Sequence, residues 1–323
     1  MSNNTDIADT ENHVFLRFEG NSGTCGKGFS SFLDGIFTKI QDCFFYLNVL
    51  QFSLVLLMYI NVGRGKYWKI LLVASIAGFF GAIVENSTVA FICRESVREK
   101  DYKWVVPFLL AEFGWITAEY SIPFLNLIKL RTFSQGLLAK IVYYSVLFVL
   151  FPAFIFFRFY IGFFRMKYGV LTSKESKYGH AGAFSVMAVS DLLCTIAILY
   201  YVRKHNNQEE ITHYIKHSSY TILICVDAVS ILLGVTNALT EYIDSLPGSL
   251  VNPFHCIKCS VILILACDAL LFKYTHNASS TFQESSDDNE DNYATNYNTN
   301  CNNRTSNYIM ETSNIHINGS AMY

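Results

Sequence analysis

Seven stretches of about twenty or more mostly apolar residues constrain this chain more than any other feature of it. They run at about 43–62, 70–93, 104–128, 137–160, 180–202, 219–240 and 250–273. A bilayer has a hydrocarbon core roughly 30 Å thick, which about 20 apolar residues cross as a helix. No water is present there to satisfy backbone groups, so only helices and closed barrels span it. Barrel strands are shorter and alternate in polarity; these runs are continuous. The expected fold is therefore all-α, a polytopic membrane protein built as a seven-transmembrane-helix bundle with disordered tails. The first stretch, CFFYLNVLQFSLVLLMYINV, carries no charge at all. Composition agrees: 15% of the 323 residues are charged, against roughly 25% in soluble domains. That excludes a soluble cytosolic enzyme. A net charge of −2, a pI near 6.4 and no basic block exclude nucleic acid as a partner.

Three parts follow along the chain. Residues 1–42 form a polar N-terminal tail that opens MSNNTDIADTEN, with neither a basic n-region nor an early apolar core, so no cleavable signal peptide is expected. Residues 43–273 form the transmembrane domain, with connections too short to hold a folded unit. Residues 274–323 hold eleven asparagines, six acids and Arg304 as the only basic side chain among Lys and Arg. Such a tail buries too little apolar surface to offset chain entropy and is expected to be disordered. Asn277, Asn303 and Asn318 head N-x-S/T triplets in this Asn-rich tract. Nine cysteines lie scattered among apolar runs, without the spacing of a disulfide or zinc framework.

Orientation rests on lysine and arginine near the membrane ends of the loops. Ten lie on each side. The first span breaks the tie: Arg64, Lys66 and Lys69 follow it, whereas Lys39 before it is offset by Asp42. This places the N-terminus outside and the C-terminus inside, in the plasma membrane rather than an internal one.

Charges inside the spans carry the functional reading, because a charge at mid-bilayer is costly and finds a partner or a polar cavity. They are Glu85 in span two, Glu112 and Glu119 in span three, Asp191 in span five, Asp227 in span six, and Lys258 and Asp268 in span seven. Glu112, Glu119 and Asn126 recur every seven residues, which sets them in one stripe along span three. Ser75, Gly78, Ala82 and Glu85 make a small-residue stripe on span two, of the kind that lets helices approach closely. Lys258 reads as the basic residue lying well inside a span, and Glu85 and Glu112 share its approximate depth. It is expected to pair with one of them as a charged lock between spans two, three and seven. Together Glu85, Glu112, Glu119, Asp191, Asp227 and Lys258 are the candidate ligand-contacting or ion-pathway residues.

Enzyme chemistry is not expected. The sequences AVSDLL and ICVDAV around Asp191 and Asp227 lack the GxGD pattern of intramembrane aspartyl proteases, and HYIKH lacks the glutamate of HExxH. His255, Cys256 and Cys259 form an HCxxC fragment without an evident fourth ligand, so no metal and no cofactor are assigned. Retinal proteins share an arrangement with this chain, a lysine in the last helix and a glutamate in the third, but Phe254 stands where the microbial ones have aspartate. The expected function is a divergent seven-helix receptor of G-protein-coupled type, with the lipid bilayer, a small-molecule or peptide ligand and a cytosolic G protein as partners. The alternatives are a proton- or cation-coupled transporter or channel that uses the intramembrane carboxylates, and a non-signalling membrane scaffold.

Overall fold

Helices follow the apolar runs closely. The computed structural model describes residues 16–18, 23–26, 28–40, 42–62, 65–100, 102–133, 136–204, 219–243 and 251–284. Among the described residues, a short helix α1 (Phe32–Ile40) precedes seven long ones: α2 (Cys43–Val62), α3 (Lys66–Ile92), α4 (Val106–Phe133), α5 (Leu137–Tyr168), α6 (Lys174–Lys204), α7 (Ser219–Tyr242) and α8 (Asn252–Glu284). Among the described residues there is no strand, only one isolated bridge between Phe29 and Arg94.

Five of these helices, α2, α3, α5, α6 and α8, are long and apolar enough to cross a membrane. The chain is thus a membrane-embedded, multi-pass helical protein. In α4, Glu112, Glu119 and two prolines dilute the apolar run, and in α7 the described residues give a shorter apolar stretch, Ile224–Thr240. The C-terminal stretch beyond Glu284 lies outside the described residues, as does the expectation of disorder there, and residues 274–284 continue α8.

Neighbouring helices pack in sequence order, and α8 returns to α2, which closes a ring. Helix α4 runs through the middle, against α3, α5, α6 and α8. Its inner residues Tyr120, Ile122, Leu125, Leu127 and Leu130 are buried in two apolar clusters. Outward faces carry Leu57, Ile60, Val73, Phe148, Phe156, Ile196 and Leu271, all exposed. Large apolar side chains facing outward suit contact with lipid rather than water.

Two local features set the spacing inside the ring. Where α3 crosses α4, Gly114 has no room for a side chain: a Cβ there would stand 2.6 Å from the Ala77 carbonyl oxygen and 2.9 Å from Gly81. The backbones touch because both residues are glycine. In α5, Pro152 has no N–H and cannot continue the regular ladder. The helix answers with a π turn at Val146–Leu150, and the Phe151 N–H reaches back to the Val146 carbonyl. Tyr120 on α4 donates its hydroxyl to the same carbonyl at 2.8 Å, which seats the bulge against the central helix.

One end of the ring is closed by the N-terminal segment. Cys25 is joined by a disulfide to Cys93 at the end of α3, 68 residues away. Two of the cysteines scattered among apolar runs are thus paired. The pairing is made by the fold and leaves no spacing signature in the sequence. Backbone bonds reinforce it, from Phe29 N–H to the Cys93 carbonyl and from Glu95 N–H to the Phe29 carbonyl, each 2.9 Å. The Arg17 guanidinium, almost fully buried, donates to the carbonyls of Val97, Arg98 and Lys100 at 2.6–2.8 Å. Residues 1–42 are therefore not simply a polar tail, since α1 and the Cys25 loop pack onto the bundle.

Candidate functional site

The heptad stripe of α4 faces inward, as its spacing predicts, and every member reaches a polar partner. Glu112 and Glu119 meet α5, whereas Asn126 meets α6. Fourteen residues separate Glu112 from Asn126, roughly 21 Å of helix at 1.5 Å per residue. The polar seam therefore runs along about half of the central helix, which has 28 residues.

Its first part lies toward the disulfide end and alternates in charge. Arg165 Nη1 donates to Glu85 at 2.9 Å and lies 3.4 Å from Glu112. Arg158 lies 3.3 Å from the other Glu112 oxygen, an ion contact without hydrogen-bond geometry, and donates to Glu119 at 2.5 Å. The order is acid, base, acid, base, acid across α3, α5 and α4. The Trp115 indole N–H donates to Glu85 at 3.1 Å. His180 Nε2 on α6 is 3.2 Å from Arg165 Nη2; an arginine only donates, so this nitrogen is the acceptor and His180 is neutral. Glu112 and Arg158 are almost fully buried. Gly162, one turn from Arg158, leaves room for the glutamate stem, since a Cβ there would stand 2.7 Å from Glu112 Cγ.

A second group lies deeper. Lys258 on α8 donates to Asp191 at 3.0 Å and to the Ser230 hydroxyl at 2.5 Å. The Asn126 amide approaches Asp191 Oδ1 at 3.4 Å, so α4, α6, α7 and α8 meet at one aspartate. Lys258 and Asp191 are both buried. The expected pairing of Lys258 with Glu85 or Glu112 is thus corrected. Those two acids are held by arginines of α5, and the lysine stem reaches Asp191 instead.

Asp227, one turn from Ser230, is buried beside Thr195 of α6. Its Oδ1 and the Thr195 hydroxyl have no hydrogen-bond partner among the described residues. Asp268 lies apart, near Tyr67 and Lys129 toward the other end. Of the six candidates, then, Glu85, Glu112 and Glu119 form one group, Asp191 and Lys258 another, and Asp227 flanks the second. His255 packs between Phe44 and Phe184, ring on ring, rather than within a metal cluster. Among the described residues no group of three or more His, Cys, Asp or Glu converges as metal ligands do.

Two functional residues were not singled out by sequence. Arg158 sits within FFRFY, inside the fourth expected span, so Lys258 is not the only deep base. Arg165 falls beyond that span only because the helix runs eight residues further, to Tyr168. A signal existed: Arg158 and Arg165 are seven residues apart, the spacing of Glu112 and Glu119, so two adjacent helices carry opposite charges at the same period.

No protein-family model matches the chain, and no curated protein or solved structure matches it either.

Proposed function

We propose that this chain is a seven-helix receptor of G-protein-coupled type, in which α4 and α7 cross the membrane together with the five more apolar helices. One observation carries the reading: the central helix is tied to its neighbours by alternating buried charges. Such ties have two discrete states, formed or broken, which is what a switching bundle requires. The closed ring around a central third span is the arrangement of receptor bundles, and this support is an analogy of architecture. Disulfides form in oxidising compartments, so the Cys25–Cys93 bond supports an outside location for that end. It agrees with the flanks of the first span, which favour N-terminus outside and C-terminal tail in the cytosol. A small molecule or peptide would then act from the disulfide end, and a G protein would read the loops near Lys129, Arg131, Arg203 and Lys204.

Breaking the lock tests this reading. Arg158→Met at matched surface expression should raise ligand-independent G-protein activation about 5-fold or more, the scale of a typical coupling free energy. Tags on both tails, probed in intact and permeabilised cells, should report the N-terminus outside. A C-terminus outside overturns the receptor reading. Proton uptake into proteoliposomes with no G-protein response would instead favour the carboxylate-lined transporter.

A further inference from the structure

The two ion-pair groups border one cavity. Between Glu119, the last acid of the first, and Lys258, the base of the second, lies a cavity of about 20 Å³ lined by Asn48, Gln51, Glu119, His255, Lys258 and Cys259, among others. A space of that size holds one water molecule, which needs at least about 10–15 Å³. Its wall is mostly apolar surface, but it carries two charged side chains, Glu119 and Lys258, and a buried water needs about 2–4 polar partners.

Hydrogen-bond stoichiometry points at the same spot. Glu119 uses Oε1 for Arg158, while its Oε2 is buried and has no partner among the described residues. An ammonium has three N–H donors; Lys258 directs two of them to Asp191 and Ser230. Asn48 and Gln51 are almost fully buried here. The Asn48 amide nitrogen donates to the Phe44 carbonyl, and the Gln51 carbonyl oxygen accepts from Leu263 N–H. Charge decides the class of guest. A cation would be repelled by Lys258 and an anion by Glu119, whereas a neutral molecule that both donates and accepts satisfies both. In about 20 Å³ that molecule is water.

We propose that this cavity is a built water site, whose single water accepts from Lys258 and donates to Glu119. The two ion-pair groups then become one network of hydrogen bonds and ion contacts from Glu85 to Asp191, linking α3, α4, α5, α6, α7 and α8. Loss of charge at Glu119 is felt at the Lys258–Asp191 pair through this water. The proposal does not depend on the receptor reading, because a transporter or a scaffold would hold the same water.

The test uses the full-length chain in lipid nanodiscs. An experimental structure that resolves ordered water should show density in the cavity within hydrogen-bond distance of Glu119 and Lys258. A clear cavity with well-resolved side chains and no such density overturns the proposal. A double-mutant cycle of Glu119→Gln and Lys258→Met, read as the midpoint of thermal unfolding, should be non-additive by about 2–4 °C. Repeated on Ala118→Val, which fills the cavity wall, the cycle should become additive. Undiminished coupling there would mean that the two charges act through space alone, and the water bridge is wrong. If Ala118→Val does not fold, the density measurement alone decides.

Discussion

At the scale of single residues, the seam is expensive to interrupt and less expensive to delete. A buried pair broken on one side leaves an uncompensated charge, at about 3–5 kcal/mol, whereas replacing both partners by neutral groups is often close to neutral. Lys258→Met should therefore lower the thermal midpoint of the detergent-purified protein sharply. Lys258→Met combined with Asp191→Asn should recover much of that loss. Pairing the same lysine change with Glu85→Gln should recover little, since Glu85 is held by Arg165 and Trp115. Equal recovery in both double variants would contradict the assignment of Asp191 as the partner. The sequence placed the acids correctly in the interior because a heptad spacing is a geometric statement about one helix. Partner choice is a statement about two helices and their relative rotation, which no single segment encodes. Hence the stripe of Glu112, Glu119 and Asn126 was legible, and the lysine's partner was not. Arg158 was overlooked because nearly all its neighbours in FIFFRFYIGFF are aromatic or aliphatic.

Elements were legible to within a few residues at several ends and misjudged at others, for physical reasons. The first span and the starts of the fourth and sixth coincide with the helices as found. Helix α5 runs past its expected end because Arg165 and Lys167 continue it, the first in ion pairs with Glu85 and Glu112 and the second over the Tyr168 ring. Apolarity alone stops the count where the charges begin. Gly169, in the left-handed region at φ 65°, ends it, since glycine enters that region without a Cβ penalty. The small-residue stripe on α3 also found its use, although the tightest contact came from Gly81 and Gly114, outside the stripe as drawn. Gly114→Ala tests that contact. Its Cβ would press on backbone atoms of α3, which do not yield as a flexible side chain does, so a loss of about 1–3 kcal/mol is expected. Thermal unfolding should show it, with Gly136→Ala as a comparison, since there the nearest atom is the tip of the Tyr201 side chain. An unshifted midpoint for Gly114→Ala would mean that the two helices separate at no cost, contrary to the packing described.

For the whole molecule, the ring closes by contact between α8 and α2, but its end near α3 is held by a covalent bond. Replacing Cys25 and Cys93 by serine removes a loop constraint of 68 residues. Losses of about 2–5 kcal/mol are typical of native disulfides in small domains, so the double serine variant should unfold several degrees earlier without reductant, and addition of reductant should lower the parent protein to the same midpoint. Overlapping curves for parent and variant before reduction would show that the bond contributes nothing to the bundle. On the proposed orientation, the bond also marks each molecule with the history of its insertion. Cys25 precedes the first span and Cys93 follows the second, so both thiols reach an oxidising lumen only when the N-terminal tail has been translocated and the second helix has been threaded outward. A copy inserted upside down would carry both sulfurs into the reducing cytosol and keep them as thiols. Counting alkylatable cysteines on the newly made chain thus reads out its handedness in the membrane, one molecule at a time, before any ligand or signal is known.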